Sequence, residues 1–341
     1  MQPLQDVENY IKGIKLEWEY RKKSLSEIVS IYLGGGTPSL LTLDQIAEIL
    51  SLFPKTATEI TIEANPDDVT LEKMQGYISL GINRLSIGVQ SLDDSSLLKI
   101  ERTHSAKKAK DAVLIAHKAG FDNISIDLMF DLPGQTFSSW KKTVDEAVLL
   151  PITHLSLYNL IFEKGSLYYK KRKELSKETP TDEISLNMLE YAVQTLEKNG
   201  LSRYEISAFC KDGKESLHNT GYWLGRPFLG LGPSAFSYMD GKRFQNICHL
   251  KKWYTALQKG LNPTDFEECL PFPENIHELL AIRLRLLKGI DIKDFPTLPP
   301  ETLKTLKNLT KEGFLLEASG THYSLSEKGK LFYDLVASEL V

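Results

Sequence analysis

The sequence predicts an α/β chain on a parallel sheet, barrel-like or doubly wound, with a smaller α+β module toward its end. Three observations predict it. Apolar, β-branched runs alternate with helical patterns, polar residues gather where those runs stop, and the composition changes near Pro263. At 341 residues with 42% hydrophobic content, the chain can bury a large core.

The elements follow in order. Val7, Tyr10, Ile11, Ile14 and Trp18 recur at helical spacing and open the chain with an amphipathic helix. Strands are predicted at "EIVSIYL", "EITIEA", "NRLSIGV", "NISIDLMF" and "THLSLYNL". Helices between them include "TLDQIAEILSLF", "SAKKAKDAVLIAHKAG" and "TFSSWKKTVDEAVLL", with starts at Thr42 and Ser105 and a stop at Gly120. A later helix, about Asp182 to Asn199, leads through Gly200 into "RYEISAF". Past Pro263, "ENIHELLAIRLRLLKG" reads as a buried helix stopped by Gly289. "PPETLKTLKNLTKEG", "FLLEASGTHYSLS" and "EKGKLFYDLVASEL" then read as helix, hairpin around Ser319-Gly320, and helix, a small winged-helix-like arrangement. From Pro300 onward five lysines face six acids, the wrong balance for a phosphate-reading surface.

Composition excludes several function classes. A net charge of −4 gives no footprint for nucleic acid or an anionic membrane. No run approaches the roughly 18 apolar residues that span a bilayer. The first residues are charged throughout, unlike a signal peptide, and too acidic for a transit peptide, so the cytoplasm is the expected compartment. The three cysteines, Cys210, Cys248 and Cys269, are scattered without metal-ligand spacing.

The polar signals mark one end of the strands. Gly34 to Pro38 follow the first strand, Glu63 and Asn65 the second, and Gln90 the third. Asp127 and "DLPGQ" close the fourth, and Glu163 stands just past the fifth. Ligands of parallel α/β folds sit at that end. Turn chemistry explains the Gly, Pro and Asn positions, but not Glu63, Gln90 and Asp127 inside apolar strands. Within "GGGTP", Gly34, Gly35 and Gly36 permit positive φ and close approach of a ligand, Thr37 adds a hydroxyl, and Pro38 sets the exit. Such a turn offers carbonyls to an ammonium, or N–H groups to an anion.

Taken together, "GGGTPSLL", "IEANP", "SIGVQSLDDSSLLKIERTHS", "ISIDLMFDLPGQT" and "LSLYNLIFEKGS" resemble radical S-adenosylmethionine (SAM) proteins of the oxygen-independent coproporphyrinogen oxidase group. The resemblance runs over nearly the whole chain, through "RYEISAF", "HNTGYW" and "FLGLGPSAFS". His218, Asn219, Tyr222 and Trp223 fit the His-Asn-x-x-Tyr-Trp signature of its HemW-type heme-chaperone branch. It implies a partial parallel (β/α) barrel of radical SAM type over residues 1–240, lacking its first strand, and a C-terminal domain over 241–341 with the winged-helix-like end.

The same resemblance implies roles. Gly35, Gly36 and Thr37 would hold the methionine part of SAM. Glu63 would lie near its ammonium, Gln90 at the ribose, Arg102 at the carboxylate, and Asp127 in the ribose and amino-acid shell. His218 would ligate heme iron, with Asn219 beside it and Tyr222 and Trp223 covering the macrocycle. Gly230 to Ser237 would form the adenine-side loop. Asp131 departs from the family, which has glycine before Leu-Pro-Gly.

One family feature has no counterpart here. The Cys-x-x-x-Cys-x-x-Cys loop after the first barrel strand, which carries the [4Fe–4S] cluster, would precede the opening helix, and neither strand nor cysteines are present. Cys210, Cys248 and Cys269 do not match its spacing. The expectations are that the chain as it stands cleaves no SAM, that Met1 is an internal start of a longer product, and that the first strand is left with an open edge. The leading functional expectation is a HemW-like heme chaperone delivering heme to a partner protein. The alternatives are a coproporphyrinogen III oxidase acting on a porphyrin precursor, or a cluster-free protein that binds heme or a partner.

Overall fold

The computed structural model describes residues 4–22, 27–162, 167–295 and 297–341. Glu163 lies outside the described residues. The chain forms two compact units. One comprises Ser30–Leu43 and Thr58–Glu215; the other comprises Met1–Val29, Asp44–Ala57 and Ser216–Val341.

The first unit is built on a seven-stranded sheet. Its strands are β1 (Ser30–Leu33), β2 (Glu59–Ala64), β3 (Arg84–Gln90), β4 (Ile124–Phe130), β5 (His154–Asn159), β6 (Ser202–Arg203) and β7 (Ala208–Cys210). The spatial order is β1-β2-β3-β4-β5-β7-β6. β1 to β5 run parallel with crossover helices between them, the βα layout expected, and β1 is an edge strand among the described residues. "RYEISAF" runs from the end of β6 into β7. It folds into the short antiparallel pair β6–β7, because Arg203 Nε donates to the Ile206 carbonyl at 3.1 Å and turns the chain back on itself.

The register separates two faces. Leu33, Ile62, Leu85 and Ile124 form one cross-strand row, and Ile87, Ile126, Leu155 and Phe209 another. Seven of these eight, all but Leu33, have 0% exposure. Each such side chain contributes about 1.5 to 3 kcal/mol of burial. The opposite face is polar: Tyr32, Thr61 and Arg84 align, as do Glu63, Ser86, Ser125 and His154, and Asp127 with Ser156. The paired strands thus alternate between an apolar face and a polar inner face.

Helix boundaries follow capping chemistry. Ser105 accepts from the Lys108 amide to start Ala106–Ala119, and Gly120 ends that helix at φ +112°. Helix Asp182–Lys198 matches its expected span.

The second unit opens with helix Leu4–Arg21, which buries Ile11, Ile14 and Trp18. Its first sheet holds β8 (Phe236–Met239), β9 (Lys242–Asn246) and β10 (Thr264–Cys269), antiparallel in the order β10-β9-β8. The second holds β11 (Ile290–Asp291), β12 (Leu315–Ala318) and β13 (His322–Leu325) in the order β11-β13-β12. The β12–β13 hairpin turns at Ser319 and Gly320, both at positive φ, and helices flank it as the winged-helix-like reading expects. Gly289 is not a helix stop. The helix Glu274–Arg283 ends earlier, and Gly289 instead lets the chain pass β13, where a Cβ would overlap the Tyr323 carbonyl oxygen.

Candidate functional site

The tips of β1 to β4 carry the first cluster. Glu63, on the inner face of β2, accepts a hydrogen bond from the Tyr32 hydroxyl at 2.9 Å and one from the Gly35 amide at 3.3 Å. One carboxylate thereby ties the glycine turn to the neighbouring strand. A Cβ on Gly34 would stand 2.6 Å from the Tyr32 ring. Gly35 and Gly36 are exposed and face open space, forming a rim, and Gly35 takes φ +97°. Thr37 is half-buried two residues on, and its carbonyl accepts from Leu40 at 3.0 Å.

Gln90 is re-aimed by a bulge. The β3–β4 register shifts after Ile87, Gln90 takes φ +66°, and it stands opposite Leu128. Arg102 reaches the same place from a different element. Helix Asp94–Lys99 ends in a Schellman turn, in which the Arg102 amide donates to Leu97 O at 3.0 Å and the Glu101 amide to Leu98 O at 3.1 Å. Arg102 Nη2 then donates to Gly88 O at 2.9 Å and lies 3.5 Å from Asn65 Oδ1. Arg102 Nε is buried with no partner among the described residues. Burial lowers the Arg102 pKa, against the pull of Asp127 and Asp67.

Asp127, half-buried on β4, completes the group. Burial pushes its carboxyl up to about 6; a hydrogen bond from Ser156 opposes this, Glu63 adds repulsion, and Arg84 and Arg102 draw it down. Burial also raises the Tyr32 pKa, with Glu63 and Asp127 adding to it. Gly35, Glu63, Gln90, Arg102 and Asp127 are therefore brought to one end of one sheet. Sequence reasoning missed Tyr32, Gly88, Arg84 and Ser156. Their signal was the two-residue alternation of "SIYL", "RLSIGV" and "HLSLYN", which puts every second residue on the inner face.

Asp131 takes φ +62°, the region that favours glycine, which is where its departure from the family falls. The Ser185 hydroxyl donates to its carboxylate.

The second cluster belongs to the other unit. Ser216 caps helix Leu217–Trp223 by accepting from the Asn219 amide at 3.3 Å. His218 Nε2 and the Tyr222 hydroxyl, one turn apart, lie 2.7 Å from each other, and their rings meet edge-on at 4.7 Å. Tyr222 also packs edge-on against Phe228 at 4.5 Å. Trp223 takes another face of the helix, beneath the Arg285 guanidinium at 4.3 Å, which also stacks on Tyr333. Gly230 to Ser237 is held from within its unit. Gly230 N donates to Ser237 Oγ at 3.0 Å, and Gly232 N to the buried Glu17 carboxylate at 2.8 Å.

The cysteines do not gather. Cys210 is buried in β7, while Cys248 and Cys269 are exposed in the other unit. Among the described residues no group of three His, Cys, Asp or Glu side chains could hold a metal ion. The cysteines present do not fit a [4Fe–4S] cluster, which takes three thiolates. Among the same residues no helix is long and apolar enough to cross a membrane.

The solved structure of coproporphyrinogen III oxidase (HemN) from Escherichia coli, a radical SAM enzyme, superimposes with a TM-score of 0.86. It covers 100% of this chain and 84% of that one, and at 21% identity it speaks for the fold. The Radical SAM superfamily profile matches residues 14–147, and the HemN C-terminal domain profile matches residues 270–332. The heme chaperone HemW of Bacillus subtilis is 32% identical over 96% of this chain and 89% of its own length. The chain belongs to the HemW family of radical SAM proteins. A second HemW, from Lactococcus lactis, is 33% identical over 85% of this chain and 77% of that protein. Of the two arrangements that the strand alternation left open, the match is to the barrel-type radical SAM fold that the family resemblance implied.

Proposed function

We propose that this chain is a heme-binding chaperone on a SAM-binding scaffold, passing heme to a partner protein. The His218–Tyr222 pair carries the reading: a half-buried imidazole one helical turn from an aromatic ring, in a chain whose relatives are named heme chaperones. Imidazole nitrogen is a fitting axial ligand for heme iron, and Tyr222 and Phe228 offer apolar ring surface beside it.

The strand-tip cluster fits SAM by its chemistry. SAM is an amino acid with a carboxylate, an ammonium and a ribose, and supplies an adenosyl group activated by a sulfonium. Arg102 has a buried Nε to spare and a fork suited to the carboxylate. Glu63 and Asp127 provide anionic acceptors for the ammonium and ribose hydroxyls, and Gln90 a neutral amide. Gly35, Gly36 and Thr37 line the rim on which the methionine part rests.

Hemin titration tests the central reading. Wild-type protein should show a Soret shift saturating at one heme per chain, and His218→Ala should lose the shift or bind far more weakly. Equal binding by both removes His218 as the ligand, and the chaperone reading with it.

A further inference from the structure

We propose that Arg226 binds a propionate of the heme whose iron His218 holds; the inference rests on the heme reading above and names the group that recognises the other end of the ligand. Helix Leu217–Trp223 ends in a Schellman turn. The Gly225 amide donates to Tyr222 O at 3.0 Å, the Arg226 amide donates to Gly221 O at 2.9 Å, and Gly225 takes φ +71°. That turn lays the Arg226 side chain back along the helix. A Cβ on Gly221 would stand 3.2 Å from Arg226 Nη1 and 3.5 Å from Cζ, so the guanidinium packs over residue 221.

Position matters because of helical periodicity. Gly221 and Tyr222 are three and four residues beyond His218, so residue 221 lies on the same side of the helix as the imidazole, about 5 Å along its axis. The residue at this place in a Schellman turn commonly makes an apolar contact. Here it is a cation over a glycine, half-buried, with no carboxylate or other hydrogen-bond acceptor among the described residues. The neighbouring arginines are engaged: Arg285 stacks on Trp223 and Tyr333, and Arg283 Nε donates to Leu224 O at 3.3 Å. Arg226 is the guanidinium laid on the glycine that follows the imidazole by three residues and precedes the phenol by one.

Heme has iron at its centre and two propionates on one edge. A nitrogen ligand, an aromatic wall and a guanidinium on one helix side match those three features, and a guanidinium pairs with a carboxylate through two parallel hydrogen bonds. The chain uses the same device at the strand tips, where a Schellman turn delivers Arg102.

The test compares hemin with its dimethyl ester, in which both propionates are uncharged, on wild-type, Arg226→Met, Arg226→Lys and His218→Ala proteins. Wild type should bind hemin about ten-fold more tightly than the ester. Arg226→Met should lose that preference while keeping the wild-type Soret position, because iron ligation is untouched, and Arg226→Lys should recover part of it. Hemin affinity unchanged in Arg226→Met, or an equal loss for hemin and ester, overturns the role of Arg226 while leaving His218 standing. Failure of wild type to bind hemin overturns this proposal and the chaperone reading together.

Discussion

The Arg102 guanidinium lies on Gly88. It donates to the Gly88 carbonyl at 2.9 Å, and a Cβ added at residue 88 would stand 2.9 Å from Arg102 Nη2 and 3.1 Å from Gln90 Nε2. Glycine is needed here for space, since residue 88 is absent from the positive-φ positions. Gly88→Ala should therefore act on the site more than on the fold. Both displaced groups are ends of flexible side chains, so the stability cost should stay within about 1 kcal/mol. SAM affinity, measured by calorimetry, should fall about ten-fold, because two proposed binding groups move together. Unchanged affinity would remove Arg102 or Gln90 from the ligand's surroundings.

Asp127 sets a pH dependence. Burial raises its folded-state pKa to about 6 from 3.8. Between those values the folded chain holds more protons at this group than the unfolded chain does. Stability through Asp127 therefore falls as pH rises from about 4 to about 6 and then levels off. Asp127→Asn should raise stability at pH 7 by an amount on the order of 2 kcal/mol and flatten that window, read from urea melts across pH. SAM affinity in wild type should rise through pH 6 as the acceptor ionises, and the variant should lose this rise. A variant that keeps the wild-type pH profile would assign the titration elsewhere.

How much of this was legible follows from the kind of signal each residue gives. The strands, the Ser105 and Gly120 boundaries and the Ser319-Gly320 hairpin rest on local chemistry, and the structure reproduces them. Glu63, Gln90 and Asp127 stood out because polar side chains interrupted apolar runs. Gly88 and Tyr32 did not, because their importance lies in what another strand or helix lays against them. Arg226 was equally silent, since a Schellman turn 8 residues past His218 is needed to bring it back to the same helix side. Gly289 was misread because a glycine after a helix and one beside a neighbouring backbone look alike in sequence.

Glu17 is a buried anchor. Its side chain is fully buried, and it accepts from Gly232 N at 2.8 Å, Trp253 Nε1 at 3.2 Å, Asn246 Nδ2 at 2.7 Å and Arg21 Nε at 2.9 Å. Truncation strands a cation and three buried donors. Glu17→Ala should destabilise its unit by about 3 to 5 kcal/mol, measured by urea unfolding. Glu17→Gln keeps the size but loses the charge and puts an N–H against donors, so it should fall between Ala and wild type. A cost below about 1 kcal/mol for Glu17→Ala would mean that the loop around Gly232 is held by its other bonds.

Tyr222 controls the nitrogen that His218 offers. The phenol lies 2.7 Å from Nε2, and burial raises its pKa, so it stays protonated and available to donate at neutral pH. Iron that takes Nε2 must first displace this hydrogen bond, whose net worth is about 1 kcal/mol. Tyr222→Phe keeps the ring against Phe228 and removes the competitor. Hemin should then bind about five-fold more tightly, with the Soret band in the wild-type position. A loss of affinity of similar size would show the reverse arrangement, in which the phenol props the ring while Nδ1 meets the iron. Stopped-flow mixing separates the two, since removing a competitor speeds capture whereas removing a prop speeds release.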